Sequence, residues 1–102
     1  MTVQERRCRS ALARLVSQRG LLRGNLLQRR RVCGKANCKC TRGELHANLY
    51  LVFSDGGRLR QVFVPKTWEA VVRQWVADYH DARRLLEQIS RLYFEKLRQR
   101  ED

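Results

Sequence analysis

From Thr67 to Arg100 the chain repeats apolar side chains at alternating steps of three and four: Val72, Trp75, Tyr79, Ala82, Leu86, Ile89 and Tyr93. Trp68, Val71, Val76, Leu85, Leu92 and Leu97 widen that stripe. The period is helical, and Thr67, two residues after Pro65, is expected to cap the first turn. A helix over 67–100 would run about 51 Å at 1.5 Å per residue. The remainder of a 102-residue chain cannot cover a rod of that length on both ends. The surplus seam, from Leu85 to Leu97 with Leu86, Ile89 and Tyr93 at its centre, therefore calls for a partner. The candidates are a second copy, giving a dimer by helix pairing, a larger protein, or the chain's own N-terminal helix folded back along it.

That N-terminal helix is legible over residues 3–18, where Val3, Ala11, Leu12, Leu15 and Val16 share a helical spacing among Arg6, Arg7, Arg9 and Arg14. Gly20 is a plausible stop, and Cys8 near the stripe reads as a small buried hydrophobe rather than a ligand. Asn25 to Val32 reads as a weak strand, because neither of its faces is purely apolar. "NLYLVF" and "RLRQVFVP" are stronger strands. They are joined by "SDGG", whose Asp55, Gly56 and Gly57 suit a tight hairpin turn with positive φ. The expected fold is α+β: an N-terminal helix, a small antiparallel sheet with a metal-binding loop, and a long C-terminal helix. One domain is expected over 1–102, with a basic helix at 1–20, the zinc loop and hairpin at 25–65, and the long helix at 67–100.

The loop carries the chemistry. Three cysteines and a histidine fall in one short string, Cys33-x4-Cys38-x-Cys40-x5-His46. The chain opens on "MTVQERRCRS", with no apolar export signal, and no apolar run approaches the roughly 18 residues of a membrane span. A soluble cytoplasmic protein without membrane contact is expected, and in a reducing compartment thiols gathered beside a histidine more often hold metal than form disulfides. Zn²⁺ favours four-coordinate thiolate and imidazole sites. Cys38 and Cys40, two apart, project the same way in an extended segment, and Gly34 lets the backbone turn tightly after Cys33. Three thiolates and one neutral imidazole leave the site at net −1, which Lys35, Lys39 and Arg42 offset. With all four ligands supplied by protein, the Zn²⁺ reads as structural and the chain as no enzyme. The same string also suits reduced thiols packed in a loop, a redox pair or another metal.

The formal net charge is +12, from 22 Lys and Arg against 10 Asp and Glu. It is uneven: residues 1–46 hold 12 cations and 2 acids, and residues 47–102 hold 10 and 8. Such an excess is most easily tolerated against a polyanion, so nucleic acid, DNA or RNA, is the leading partner, ahead of an anionic membrane. Arg29, Arg30, Arg31, Lys35, Lys39 and Arg42 flank the ligand string and are the expected phosphate contacts, although a charge run is also the usual sign of a solvated face. Tyr50, Phe53 and Phe63 read as core of the hairpin, and Trp68, Trp75, Tyr79 and Tyr93 as core or seam, which argues against a platform for stacking single-stranded bases.

The pattern Cys33-Gly34-Lys35, Cys38, Cys40, Gly43, His46, Tyr50 and Val64-Pro65-Lys66 resembles a family of small uncharacterised bacterial proteins. These share a Cys-Gly-Lys-x-x-Cys-x-Cys segment, a Gly-x-x-His, an aromatic strand and a Val-Pro before a helix. The resemblance spans about residues 24–95. Ala47-Asn48-Leu49 stand where that family has Gly-Pro and aromatics, so the start of the second strand is expected to differ. Members are often encoded near transposases and other mobile elements. The resemblance implies the metal loop and a mobile-element or phage setting, and no catalytic residue. The functional expectation is a basic zinc-binding accessory or regulator that binds nucleic acid. The alternative is an adaptor that docks through its C-terminal helix on a larger nucleoprotein enzyme such as a transposase or nuclease.

The ligand assignment predicts one zinc per purified chain by elemental analysis. Cys33→Ser, Cys38→Ser or Cys40→Ser is expected to lose the metal and lower the melting temperature, since structural zinc contributes on the order of 10 kcal/mol. A metal-free protein of unchanged stability in all three variants would contradict it.

Overall fold

The structure, a computed structural model, describes residues 1–31 and 46–100. Its element order is α1 (Val3–Gln18), β1 (Asn25–Arg31), β2 (His46–Asp55), β3 (Arg58–Val64), a single 3-10 turn (Lys66–Trp68) and α2 (Glu69–Arg98). This is the expected α+β arrangement. The three strands form one antiparallel sheet in the order β1-β2-β3. The chain divides into two compact units, one of residues Met1–Leu22 with Gln74–Asp102 and the other of Arg23–Arg73.

In the helical unit, α1 starts where the Thr2 hydroxyl accepts a hydrogen bond from the Glu5 amide at 3.1 Å, which satisfies one of the amides a helix start leaves orphaned. Glu5 itself is 1 % exposed. Its carboxylate accepts from Arg9 Nε at 2.8 Å and from the Tyr93 hydroxyl at 2.9 Å, with Lys96 Nζ at 3.7 Å. The ammonium of Lys96 also lies 4.6 Å from the Tyr93 ring centroid, within cation–π range. Further along, the Cys8 thiol donates to Gln88 Oε1 at 3.4 Å, so Cys8 is the buried small residue expected. Past the end of α1, Arg19 Nε donates to Asp78 Oδ2 at 2.9 Å, and Gln74 Nε2 to Asp78 Oδ1 at 3.0 Å. Residue numbers fall on α2 as they rise on α1, so the two helices run antiparallel, and α1 is the partner that folds back along the seam. Leu22 N–H then donates to the Trp75 carbonyl.

The start of α2 differs from expectation. Thr67 is not its cap: the Trp68 amide bonds back to the Pro65 carbonyl at 2.9 Å, an i to i+3 closure that winds residues 66–68 as a 3-10 turn with no side-chain cap. The α-helix therefore begins at Glu69, and its C-terminal end at Arg98 is followed by an Arg100 N–H to Leu97 carbonyl bond at 3.4 Å. Among the described residues no helix is long and apolar enough to cross a membrane.

In the sheet unit, β2 and β3 meet through Gly56 (φ 57°) and Gly57 (φ 83°) between the paired residues Asp55 and Arg58. Two consecutive positive φ values match the twist of a two-residue hairpin, and glycine adopts them without strain. Ala47 and Asn48, where the resemblance put the second strand in doubt, lie within β2, opposite Arg30 and Arg29. Leu49, Leu51 and Val64 are buried, as is Val72 in the same unit. By register Leu49 and Leu51 share a sheet face with Val64 and Val62, and Tyr50 shares the other with Leu27 and Phe63.

Two outcomes follow. The Arg9 hydrogen bond holds the Glu5 carboxyl below its ordinary value of 4.5 against the opposing effect of burial, so its stabilisation is complete above that value and is lost as pH falls through the lowered one. Glu5→Gln is expected to lower the melting temperature at neutral pH and to flatten the loss of stability below about pH 4.5, read from melts across the acid range. At Gly20 an added Cβ would lie 2.5 Å from the Trp75 ring, so Gly20→Ala should cost about 1–3 kcal/mol in denaturant unfolding.

Candidate nucleic-acid interface

The ligand string and its cations begin where β1 ends. Arg31, the last residue of β1, is the backbone partner of His46, the first of β2. The β1–β2 ladder therefore ties both ends of segment 32–45 to adjacent strands. Cys33, Cys38, Cys40, Lys35, Lys39 and Arg42 lie outside the described residues. Among the described residues no group of three His, Cys, Asp or Glu side chains is placed to hold a metal. Of the donor set expected from the sequence, Cys33 lies two residues beyond β1 and His46 opens β2.

The "RRR" run does not form a single patch. Successive side chains of a strand point to opposite faces, and Arg29 and Arg30 pair with Asn48 and Ala47, which alternate likewise on β2. Both arginines are exposed. Arg30 lies on the face that carries the buried Leu49 and Leu51. Arg29 lies on the other face, where its guanidinium donates to Gln61 Oε1 at 2.6 Å and its Cζ sits 5.8 Å from the Tyr50 ring centroid. A guanidinium held at two points loses little freedom on meeting a phosphate.

Tyr50 packs edge-to-face against Phe63, with centroids 5.8 Å apart and ring planes at 65°. Phe63 is 50 % exposed and Leu27, beside Tyr50 on β1, is 42 % exposed. The expectation that Phe63 belongs to the core is thus corrected. Every residue of β3 before Val64 is exposed, Val62 on the face of Leu49 and Leu51 as well as Phe63 on the other, outer face. Trp68, half exposed in the 3-10 turn, is likewise not core. Alternation along β3 shows which residues share a face but not which face is covered, and that is the signal sequence reasoning lacked.

The three expected interface residues of α2 divide. Ile89 is buried within the chain, whereas Leu86 and Tyr93 keep exposed surface, together with Phe94 and Leu97. Tyr93 is further engaged by Glu5, and the Arg9 guanidinium donates to its hydroxyl at 3.2 Å. On α1, Arg6, Arg7 and Arg14 are exposed and form no ion pair with a carboxylate among the described residues.

The family described as a domain of unknown function, DUF6788, matches residues 3–74. The chain belongs to this family. No curated protein and no solved structure matches it. The DUF6788 span takes in α1, the three described strands and residues 32–45 between β1 and β2, and stops within the second turn of α2. An uncharacterised family was the expectation. Its match begins earlier than the resemblance over 24–95 and ends earlier too.

Proposed function

We propose that this DUF6788 protein is a basic, zinc-binding nucleic-acid-binding factor of the bacterial cytoplasm, acting as an accessory or regulator of a mobile element or phage. The observation that carries the reading is the distribution of charge. Residues 23–73 hold 11 Arg and Lys against 3 acids. Two of the acids outside that segment, Glu5 and Asp78, are buried and already paired with Arg9 and Arg19, so they are not available to offset the other exposed arginines. A surface with that bias draws a polyanion by releasing condensed counterions. Arg29, Arg30, Arg31, Lys35, Lys39 and Arg42 supply the phosphate contacts. Cys33, Cys38, Cys40 and His46 would hold a structural Zn²⁺, which organises the loop that bears Lys35, Lys39 and Arg42. No catalytic role is assigned.

A second reading is favoured by the exposed Leu86, Phe94 and Leu97 on α2. In it the chain is an adaptor that meets a second copy or a larger nucleoprotein enzyme through that helix, and the basic surface only supports the complex. It requires Leu86→Asp to abolish function while leaving nucleic-acid affinity unchanged.

Six phosphate contacts imply a log–log slope of affinity against salt near −5 on duplex DNA, or near −4 on a single strand. A slope shallower than about −2, measured by fluorescence anisotropy across a salt series, would exclude this surface as the main contact.

A further inference from the structure

We propose that the outer face of the sheet, centred on Phe63, stacks unpaired bases, so that the nucleic acid this protein takes is single-stranded. The inference rests on the nucleic-acid reading above and names the substrate class for it. Four side chains from three strands converge there: Arg29 on β1, Tyr50 on β2, and Gln61 and Phe63 on β3. Phe63 presents half its surface to water from a strand that is otherwise exposed up to Val64. Its edge-to-face contact with Tyr50 fixes the orientation of the ring, so the entropy of ordering it is largely met before a ligand arrives. Leu27 extends the apolar floor across to β1.

The polar part of the patch chooses the occupant. Arg29 is its charged side chain with a described position, and it is a cation; the unit around it has an excess of 8 positive charges. A protein helix without acidic residues would gain nothing from that bias, whereas a nucleic-acid strand supplies a planar base for Phe63 and a phosphate for Arg29 within one nucleotide. The Gln61 amide accepts from Arg29 through its oxygen, and its NH2 end is the donor that a base edge would use. Paired bases offer a protein only their edges in the grooves. Unpaired bases offer their faces, and an aromatic ring takes any of them with little regard to sequence. The same face therefore has no use for duplex beyond its phosphates.

The test is binding of the purified full-length protein to labelled oligonucleotides of roughly twelve nucleotides, single-stranded oligo-dT and oligo-U in one arm and a blunt duplex in the other. Single strands should bind at least about tenfold more tightly than duplex. Phe63→Ala should weaken them about tenfold, the effect of one base–aromatic stack, with duplex binding unchanged. Phe63→Trp should retain affinity and add a fluorescence signal that is quenched by oligo-dT. Phe63→Leu, which keeps the apolar bulk without the π face, should behave like Phe63→Ala; melts matched to wild type show that the variants fold. Equal affinity for both forms, or Phe63→Leu binding like wild type, overturns the stacking inference and leaves nucleic-acid binding standing. Failure to bind either form overturns the functional reading beneath it, and if the Phe63 variants then lose only a protein partner, the patch is a protein-docking surface.

Discussion

The carboxylate of Glu5 is the most deeply buried side chain described in this protein, and the pairing of its two helices is organised around it. A carboxylate can be tolerated at that depth only if its oxygens are taken up by donors. Arg9 from the same helix and Tyr93 from α2 supply them, with Lys96 nearby. Asp78 does the equivalent at the opposite end of α1 through Arg19 and Gln74. Polar clamps at both ends therefore set the antiparallel alignment of a helix that offers little apolar surface of its own.

This use of acids has an electrostatic consequence. The chain has 10 carboxylate side chains for 22 cations. Those clamped inside the helical unit are held by arginines that would otherwise be free, but Arg6, Arg7 and Arg14 on α1 and Arg29 and Arg30 on β1 keep their charge toward solvent. Uncompensated charge of one sign costs a folded protein self-repulsion, which a bound polyanion would relieve. The sheet unit carries that charge beside the half-exposed Phe63 and its neighbour Tyr50.

The sheet also separates positions that looked equivalent. Arg29 and Arg30 are neighbours in the chain, but the pleat sends them to opposite faces, one beside Tyr50 and Gln61 and the other beside the buried Leu49 and Leu51. The weak strand reading of β1 has the same origin: Leu27 and Arg29 share the outer face, and Leu26 and Gln28 the inner one, so both faces mix apolar and polar residues.

Local information was enough for the elements. Apolar spacing set α1 at residues 3–18, the Asp-Gly-Gly turn set the hairpin, and the long period of three and four set most of α2, because each depends on neighbours a few residues apart. The string of metal-ligand types and the charge imbalance were equally open to reading. Tertiary structure alone decided that α1 packs along only part of the seam, that a lone glutamate in an arginine-rich helix is buried, and that Phe63 faces water. Those outcomes depend on which surfaces meet across 80 or so residues of chain, as Glu5 meets Tyr93, and periodicity carries no term for what lies on the other side of a face.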